Sequence, residues 1–165
     1  MRSRHARTLL IFSIDICQMR VYTYIMKRTF PCHCTTLRYA AQTLTEVYDR
    51  VLAPSGLKVT QYVLLESILE DEAEQSITDL AQKLGSDRST IGRNVHILVR
   101  DGLVSLSRGS DRREHTVHVT KKGRETVSLA NPLWQKAQTA VADTLGSDQL
   151  NMLKTLLSQL EEMSI

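Results

Sequence analysis

Four polar side chains, Arg88, Ser89, Thr90 and Arg93, fall close together directly after Ser86-Asp87. Ser and Asp are good helix caps, so the four should lie on the first two turns of a helix. Guanidinium and hydroxyl groups at a helix start suit double-stranded DNA, whose major groove admits one α-helix. An Arg there either forks onto a guanine edge or holds a phosphate. Sequence does not divide these roles between Arg88 and Arg93. Asn94 follows on the same helix and either needs a hydrogen-bond partner or faces the DNA. A second basic group surrounds the turn-forming Gly109-Ser110-Asp111. A loop tip carrying Arg can enter the narrow minor groove. Arg113 is the candidate for that role, with Arg112 and Arg108 for phosphates and Asp111 to pair with an Arg and shape the loop. For any one of these Arg residues, a solvated surface charge is the competing explanation.

The surrounding pattern supplies elements to hold them. Leu37, Ala40, Ala41, Leu44, Val47, Val51 and Leu52 form a helical stripe over Cys34–Leu52, ended by Ala53-Pro54-Ser55-Gly56. Thr60 is the expected cap of a second helix running to about Glu70, followed by an acidic loop to Gln75. Ser76 to Asp79 then opens a short helix that Gly85 breaks. The helix after Asp87 reaches about Asp101, with Ile91, Val95 and Leu98 facing inward. Two short helices across a glycine turn are a helix-turn-helix. Leu103–Arg108 and Thr116–Val119 alternate as strands around the basic loop, which makes a wing. Thr120 caps a long helix to about Leu145, which Pro132 should kink or split. A last helix carries Leu150, Leu153, Leu156, Leu157, Leu160 and Met163 on one stripe.

The fold class is therefore mainly α with a small two- to three-stranded antiparallel wing. The expected organisation is a poorly structured extension at 1–28, a first dimerisation helix at 34–56, a winged helix-turn-helix at 57–124 and dimerisation helices at 125–165. The two apolar stripes need a partner larger than one small winged module offers.

Charge agrees with this organisation. The net charge is +3 over 165 residues, but Ser76–Arg124 holds ten Lys/Arg against five Asp/Glu. A basic middle in an acidic body marks a segment that meets a polyanion. Three cysteines, Cys17, Cys32 and Cys34, make no disulfide framework and point to a reducing, cytoplasmic setting. No apolar run reaches the ~20 residues of a membrane helix.

From about Cys34 onward the chain resembles the MarR family of bacterial regulators. The resemblance is carried by Leu57 with Thr60-Gln61-Tyr62, Ile77-Thr78-Asp79-Leu80-Ala81, Asp87-Arg88-Ser89-Thr90-Ile91, Asp101-Gly102-Leu103-Val104, and Asp111-Arg112-Arg113 with Val117, Val119, Thr120 and Gly123. It implies a homodimer with interleaved terminal helices that represses genes by binding DNA and lets go when an effector binds. It implies no enzyme activity, cofactor or metal.

Cys34 opens the first helix, where the helix dipole favours a thiolate. It also resembles the reactive cysteine of the organic-hydroperoxide-sensing branch, with Leu37 and Tyr48 at the matching spacings and Val59 where that branch has a second Tyr. Three roles stay open for it: packing at a dimer interface, a redox switch with Cys32 nearby, or metal binding through Cys32-His33-Cys34. Adjacent ligands rarely close a tetrahedral site. A small aromatic acid is the other effector that the resemblance implies, with Arg38, Tyr48, Tyr62 and Trp134 as candidate pocket residues. A thiol peroxidase built on Cys34, and a winged module that binds protein, are competing functions. Neither accounts for Arg88, Arg93 and Arg113 as well as DNA does.

Overall fold

The computed structural model describes residues 32–71, 74–108 and 115–163. The extension expected at 1–28 lies outside them. The elements are α1 (His33–Leu52), a 3-10 turn (Ala53–Ser55), α2 (Val59–Leu69), β1 (Gln75–Ser76), α3 (Ile77–Lys83), α4 (Arg88–Arg100), β2 (Val104–Arg108), β3 (His115–Val119), α5 (Lys121–Leu145) and α6 (Ser147–Glu161). Two units divide the chain, Met1–Ala40 and Ala41–Ile165. The second is a winged helix-turn-helix, helical apart from one antiparallel sheet of order β1-β3-β2.

Side-chain caps set the starts of α3, α4 and α5. Ser76 accepts from the Asp79 N–H (3.2 Å) while Asp79 accepts from the Ser76 N–H (2.8 Å), a reciprocal box that opens α3. Asp87 caps α4 and Thr120 caps α5, as the sequence predicts. Thr60 is not the cap of α2. The helix begins at Val59, with Lys58 in the capping position. Its first N–H groups go to Gln61 Oε1 (Lys58, 2.9 Å) and to Asp49 Oδ1 (Val59, 2.8 Å). Asp49 belongs to α1, so a tertiary contact satisfies donors that a local cap would otherwise serve.

Two further expectations change. Gln75 and Ser76, placed at the end of a loop and the start of a helix, pair with Val117 and Thr116 as a third strand. The helix through Pro132 is neither ended nor split there. Pro132 removes the donor for the Ser128 carbonyl, but both residues are exposed, so water can take its place.

The inner stripe of α4, Ile91, Val95 and Leu98, joins Leu52, Leu64, Leu65 and Leu80 in one core. The sheet adds Val104, Val117 and Val119 to it. Val104 faces Val119 and Leu106 faces Val117 across the hairpin, so the inner face is a row of apolar cross-strand pairs. By contrast, no residue of α6 is buried, and Leu153, Leu156, Leu157 and Leu160 are exposed. Leu44 of α1 is exposed as well. Among the described residues, no helix is long and apolar enough to cross a membrane.

The wing and the long helix meet at Gly123. The Leu103 carbonyl accepts the Thr120 N–H at 3.0 Å, and the Thr120 hydroxyl lies 3.1 Å from the same oxygen. A Cβ on Gly123 would come within 2.2 Å of that carbonyl oxygen and 2.6 Å of Val119 Cγ1. An Ala normally stabilises a helix interior by up to ~1 kcal/mol over Gly. Here the clash is with backbone and outweighs that gain. We expect Gly123→Ala to lower the unfolding free energy by roughly 1–3 kcal/mol. Urea denaturation of the two proteins measures it, and an unchanged or raised midpoint contradicts the close packing.

Candidate nucleic-acid interface

The α4 start is organised around one carboxylate. Asp87 Oδ1 accepts the Thr90 N–H at 2.9 Å, and Oδ2 accepts the Thr90 hydroxyl at 2.6 Å. The Ser89 hydroxyl donates to Oδ1 as well. These donors hold the Asp87 carboxyl well below the usual carboxylate range, the Ser89 hydroxyl first, then Thr90, with Arg93 adding charge attraction. Ser89 and Thr90 therefore spend their hydroxyl protons on Asp87 in the free chain. Each hydroxyl oxygen keeps lone pairs that can accept. Arg93 Nη2 uses one, donating to Thr90 Oγ1 at 3.3 Å. Arg88 Nε donates to Thr78 Oγ1 on α3 at 3.3 Å, which ties the two helices of the helix-turn-helix together through polar atoms.

Ser89, Arg93, His96 and Arg100 are all exposed on α4. Their spacing puts them on one stripe opposite Ile91, Val95 and Leu98. The structure thus brings Arg88, Ser89, Thr90 and Arg93 together as expected, and adds His96, Arg100 and Thr78. Helical period alone could have found His96 and Arg100. Thr78 was visible only once α3 and α4 were docked. Asn94 is half-buried at the flank of α4. Arg100 pairs with Asp101 at 3.0 Å.

In the wing, Arg108 ends β2 opposite His115 and is exposed. Asp111, Arg112 and Arg113 lie outside the described residues. The outer sheet face carries a polar group that sequence did not single out. Ser107 Oγ lies 2.7 Å from Thr116 Oγ1 and 2.8 Å from His118 Nε2, and Thr116 Oγ1 lies 3.0 Å from that nitrogen. These hydrogen bonds join the strands across the hairpin on the face opposite its apolar pairs.

Three of the candidate pocket residues, Tyr48, Tyr62 and Trp134, meet at α5. Tyr62 stacks on Trp134 with ring centroids 5.7 Å apart. Tyr62 is buried in the core and donates to Glu66 Oε1 at 3.0 Å. Burial, then the Glu66 hydrogen bond and charge, push its phenol up to about 12. Tyr48 donates to Gln138 Oε1 at 2.9 Å, and burial raises its phenol too. Trp134 and Gln138 stand one turn apart on α5, so both tyrosines lean on the same helix. Arg38 is exposed in the first unit. There Cys32 and Cys34 are exposed thiols flanking the start of α1. The Thr35 hydroxyl, then the Thr35 and Cys34 amides, hydrogen-bond the Cys32 sulfur and lower its thiol below the usual value.

Residues 55–114 match the model of the MarR family. The MosR transcriptional regulator of M. tuberculosis, solved in complex with DNA, is 36% identical. The alignment covers 79% of this chain and 96% of MosR, with a TM-score of 0.70. The transcriptional repressor CouR of Rhodococcus jostii RHA1, solved on a 23-mer DNA duplex, is 25% identical over 80% of this chain and 94% of CouR, with a TM-score of 0.71. MarR of E. coli shares the fold at 21% identity and a TM-score of 0.61, over 78% of this chain and 96% of its own. With a helix-turn-helix whose second helix is basic and rich in hydroxyls, followed by a three-stranded antiparallel sheet, the present chain belongs to the MarR family of DNA-binding transcriptional regulators.

Proposed function

We propose that this protein is a homodimeric repressor that binds a pseudo-palindromic duplex and is released by an oxidative or small-molecule signal. The observation that carries the reading is the α4 stripe of Ser89, Arg93, His96 and Arg100, with Thr90, bonded to Asp87, and Arg88, bonded to Thr78, beside it. In this reading Arg88, Ser89, Thr90, Arg93 and Asn94 meet the major groove, Arg108 and Arg112 meet phosphates, and Arg113, in a loop shaped by Asp111, enters the minor groove. Residues 57–124 bind DNA, and 34–56 with 125–165 dimerise. Half-sites about one helical turn apart, ~10 base pairs, follow from a two-fold dimer.

The exposed apolar stripe of α6 supports the dimer. Leu153, Leu156, Leu157 and Leu160 would each lose contact with water in an interface, worth about 25 cal/mol per Å2 of apolar surface removed. A second copy supplies the same stripe in self-complementary form. The cytoplasm is the natural compartment for such a regulator.

For the signal, the thiols are better placed than the aromatic residues. Cys32 and Cys34 are exposed, and the thiolate of Cys32 is favoured by its Thr35 contacts. Tyr62 is core, with its hydroxyl already used. An organic hydroperoxide would transfer one oxygen to a thiolate, giving a sulfenic acid and an alcohol. A second thiol, Cys32 or Cys34 or that of the partner chain, would then displace water and form a disulfide.

Three outcomes follow. Against the upstream DNA of its own gene, the wild type should lose affinity steeply with salt, and Arg93→Ala should weaken binding by roughly 5- to 150-fold or flatten the salt slope by about one per protomer. Fluorescence anisotropy at several salt concentrations reads both; a shallow wild-type slope argues for a protein-binding wing instead. Leu153→Asp with Leu157→Asp should turn a dimer into a monomer by sedimentation and reduce DNA affinity by roughly 10²–10⁴-fold. A wild type that sediments as a monomer removes the palindromic geometry. Hydroperoxide should release the wild type while the Cys32→Ser, Cys34→Ser double variant stays bound; equal behaviour of the two moves the signal to a small aromatic acid.

Asp87 gives a pH prediction. Its folded value is depressed, so its contribution to stability is complete above the unfolded value of about 3.9 and is lost as pH falls below it. The unfolding midpoint should not respond to Asp87 between pH 5 and 8. Below about pH 4 it should fall more steeply in the wild type than in Asp87→Ser, which keeps a cap without the charge. Urea titrations across that range decide it, and parallel acid limbs would remove the charge from the cap's role.

A further inference from the structure

Gly92 sits in the interior of α4, where glycine is the least favourable residue apart from proline. Internal reasons account for the other described glycines. Gly56, Gly85, Gly102 and Gly146 have positive φ, and Gly123 packs against the Leu103 carbonyl. Gly92 has neither. Its φ is not positive, and a Cβ built on it would meet nothing within 4 Å. Nothing in the fold would resist an alanine there, and the helix would gain from one. The glycine therefore weakens α4 without any return inside the molecule.

Its position suggests where the return lies. Helical spacing places Gly92 one turn from Arg88, Ser89 and His96, all exposed, and next to Arg93. It is a bare stretch of backbone framed by the side chains of the DNA-facing stripe. Glycine is the residue used where backbone must approach a ligand closely. We infer that Gly92 is a specificity-determining residue that lets the second turn of α4 seat deeper in the major groove, with the duplex filling the space a Cβ would occupy. The inference rests on the DNA-binding reading proposed above. A deeper seat brings Arg88, Ser89 and Arg93 within reach of base edges. A methyl at position 92 holds the helix off by about the depth of one carbon. Phosphate contacts, made by long flexible side chains at the groove walls, tolerate that displacement. Short hydroxyl contacts and bidentate base contacts do not, because they need near-ideal distances.

The test pairs stability with recognition. A duplex is first selected from a randomised DNA pool by the full-length wild type. Gly92→Ala and Gly92→Ser are then compared with the wild type in thermal unfolding, and in binding to the selected duplex and to an unselected duplex of equal length. We expect Gly92→Ala to raise Tm by a few degrees, on the order of 2–4 °C. We expect it to weaken the selected duplex by roughly 5- to 100-fold, with unselected binding and the salt slope kept. Gly92→Ser should weaken the selected duplex at least as much. A lower Tm would show that the glycine serves the fold and would overturn the inference. A higher Tm with selected binding unchanged would overturn it equally. Should the wild type enrich no sequence from the pool, the DNA-reading proposal itself falls, and the role of Gly92 falls with it; Arg93→Ala, equally without effect on binding, identifies that case.

Discussion

The Leu103 carbonyl is the point through which the parts of this molecule are set relative to one another. It lies just past the end of α4, accepts the N–H of Thr120 where β3 ends, and is packed against Gly123 in the first turn of α5. The recognition helix, the wing and the long helix therefore share one joint. The Thr120 hydroxyl tightens it further, lying 2.8 Å from the Gly102 carbonyl while accepting the Gly123 N–H at 3.0 Å. Lys122 Nζ closes the same region by donating to the Asp101 carbonyl at 2.7 Å, at the negative end of the α4 dipole. So many short polar contacts on adjacent backbone leave little room for independent movement of the three elements. A tilt of α5 imposed elsewhere along its length would carry the wing and the end of α4 with it. In the proposed dimer, such a rigid connection would turn a change at the terminal helices into a change in the spacing of two reading heads.

Electrostatics at the other end of α4 solve a different problem. If α4 meets DNA as proposed, a carboxylate at its start would repel phosphate unless it were neutralised. Asp87 does not stand free, since Ser89, Thr90 and the Thr90 amide surround it with donors and Arg93 lies close by. The acid is spent on ordering the two residues that follow it. Hydroxyl lone pairs and guanidinium groups remain. In the proposed complex, Arg93 would exchange the neutral Thr90 oxygen for a charged phosphate or a guanine edge, a stronger acceptor. Arg88 stands in the same relation to Thr78. Both arginines are thus held in place before binding by weak partners that are readily replaced, which lowers the ordering cost of association.

Much of this was legible in the sequence because it is local. Ser76, Asp87 and Thr120 act on residues three positions away, and the alternation of Val104–Arg108 and His115–Val119 is a period-two signal. The stripe of α4 and the family motifs followed from the same kinds of spacing. What sequence did not carry depends on contacts between distant segments. Asp49 serves the start of α2 across a turn, so Thr60, the stronger local cap, is displaced. Gln75-Ser76 has no period to read and becomes a strand only because β3 offers an edge. Pro132 reads as a kink or a split, and α5 is not split, since it has long runs on both sides and an exposed face where the lost bond can be hydrated. The Thr35 contacts that favour the thiolate of Cys32 were hidden for the same reason: they depend on where the helix starts. Sequence placed the weight on Cys34, inside the helix, whereas the Thr35 hydrogen bonds converge on Cys32, just ahead of the helix.

Gly92 and Gly123 separate what serves the fold from what does not. Both are helical, and intrinsic propensity treats them alike. At Gly123 a Cβ collides with the Leu103 carbonyl, so the fold itself demands glycine. At Gly92 a Cβ meets open space, so local propensity and tertiary packing both favour another residue. When those levels agree on a choice that the sequence has not made, the reason lies outside the single chain. The same logic applies to α6, whose leucines face solvent with no partner among the described residues. A helix of that composition is poorly stabilised alone, because helices owe most of their stability to a buried apolar face. One face lacks the side chain that the helix would prefer, and the other exposes side chains that water disfavours. A duplex fits the first departure and a second copy of the chain fits the second, since each removes the unfavourable term where it arises.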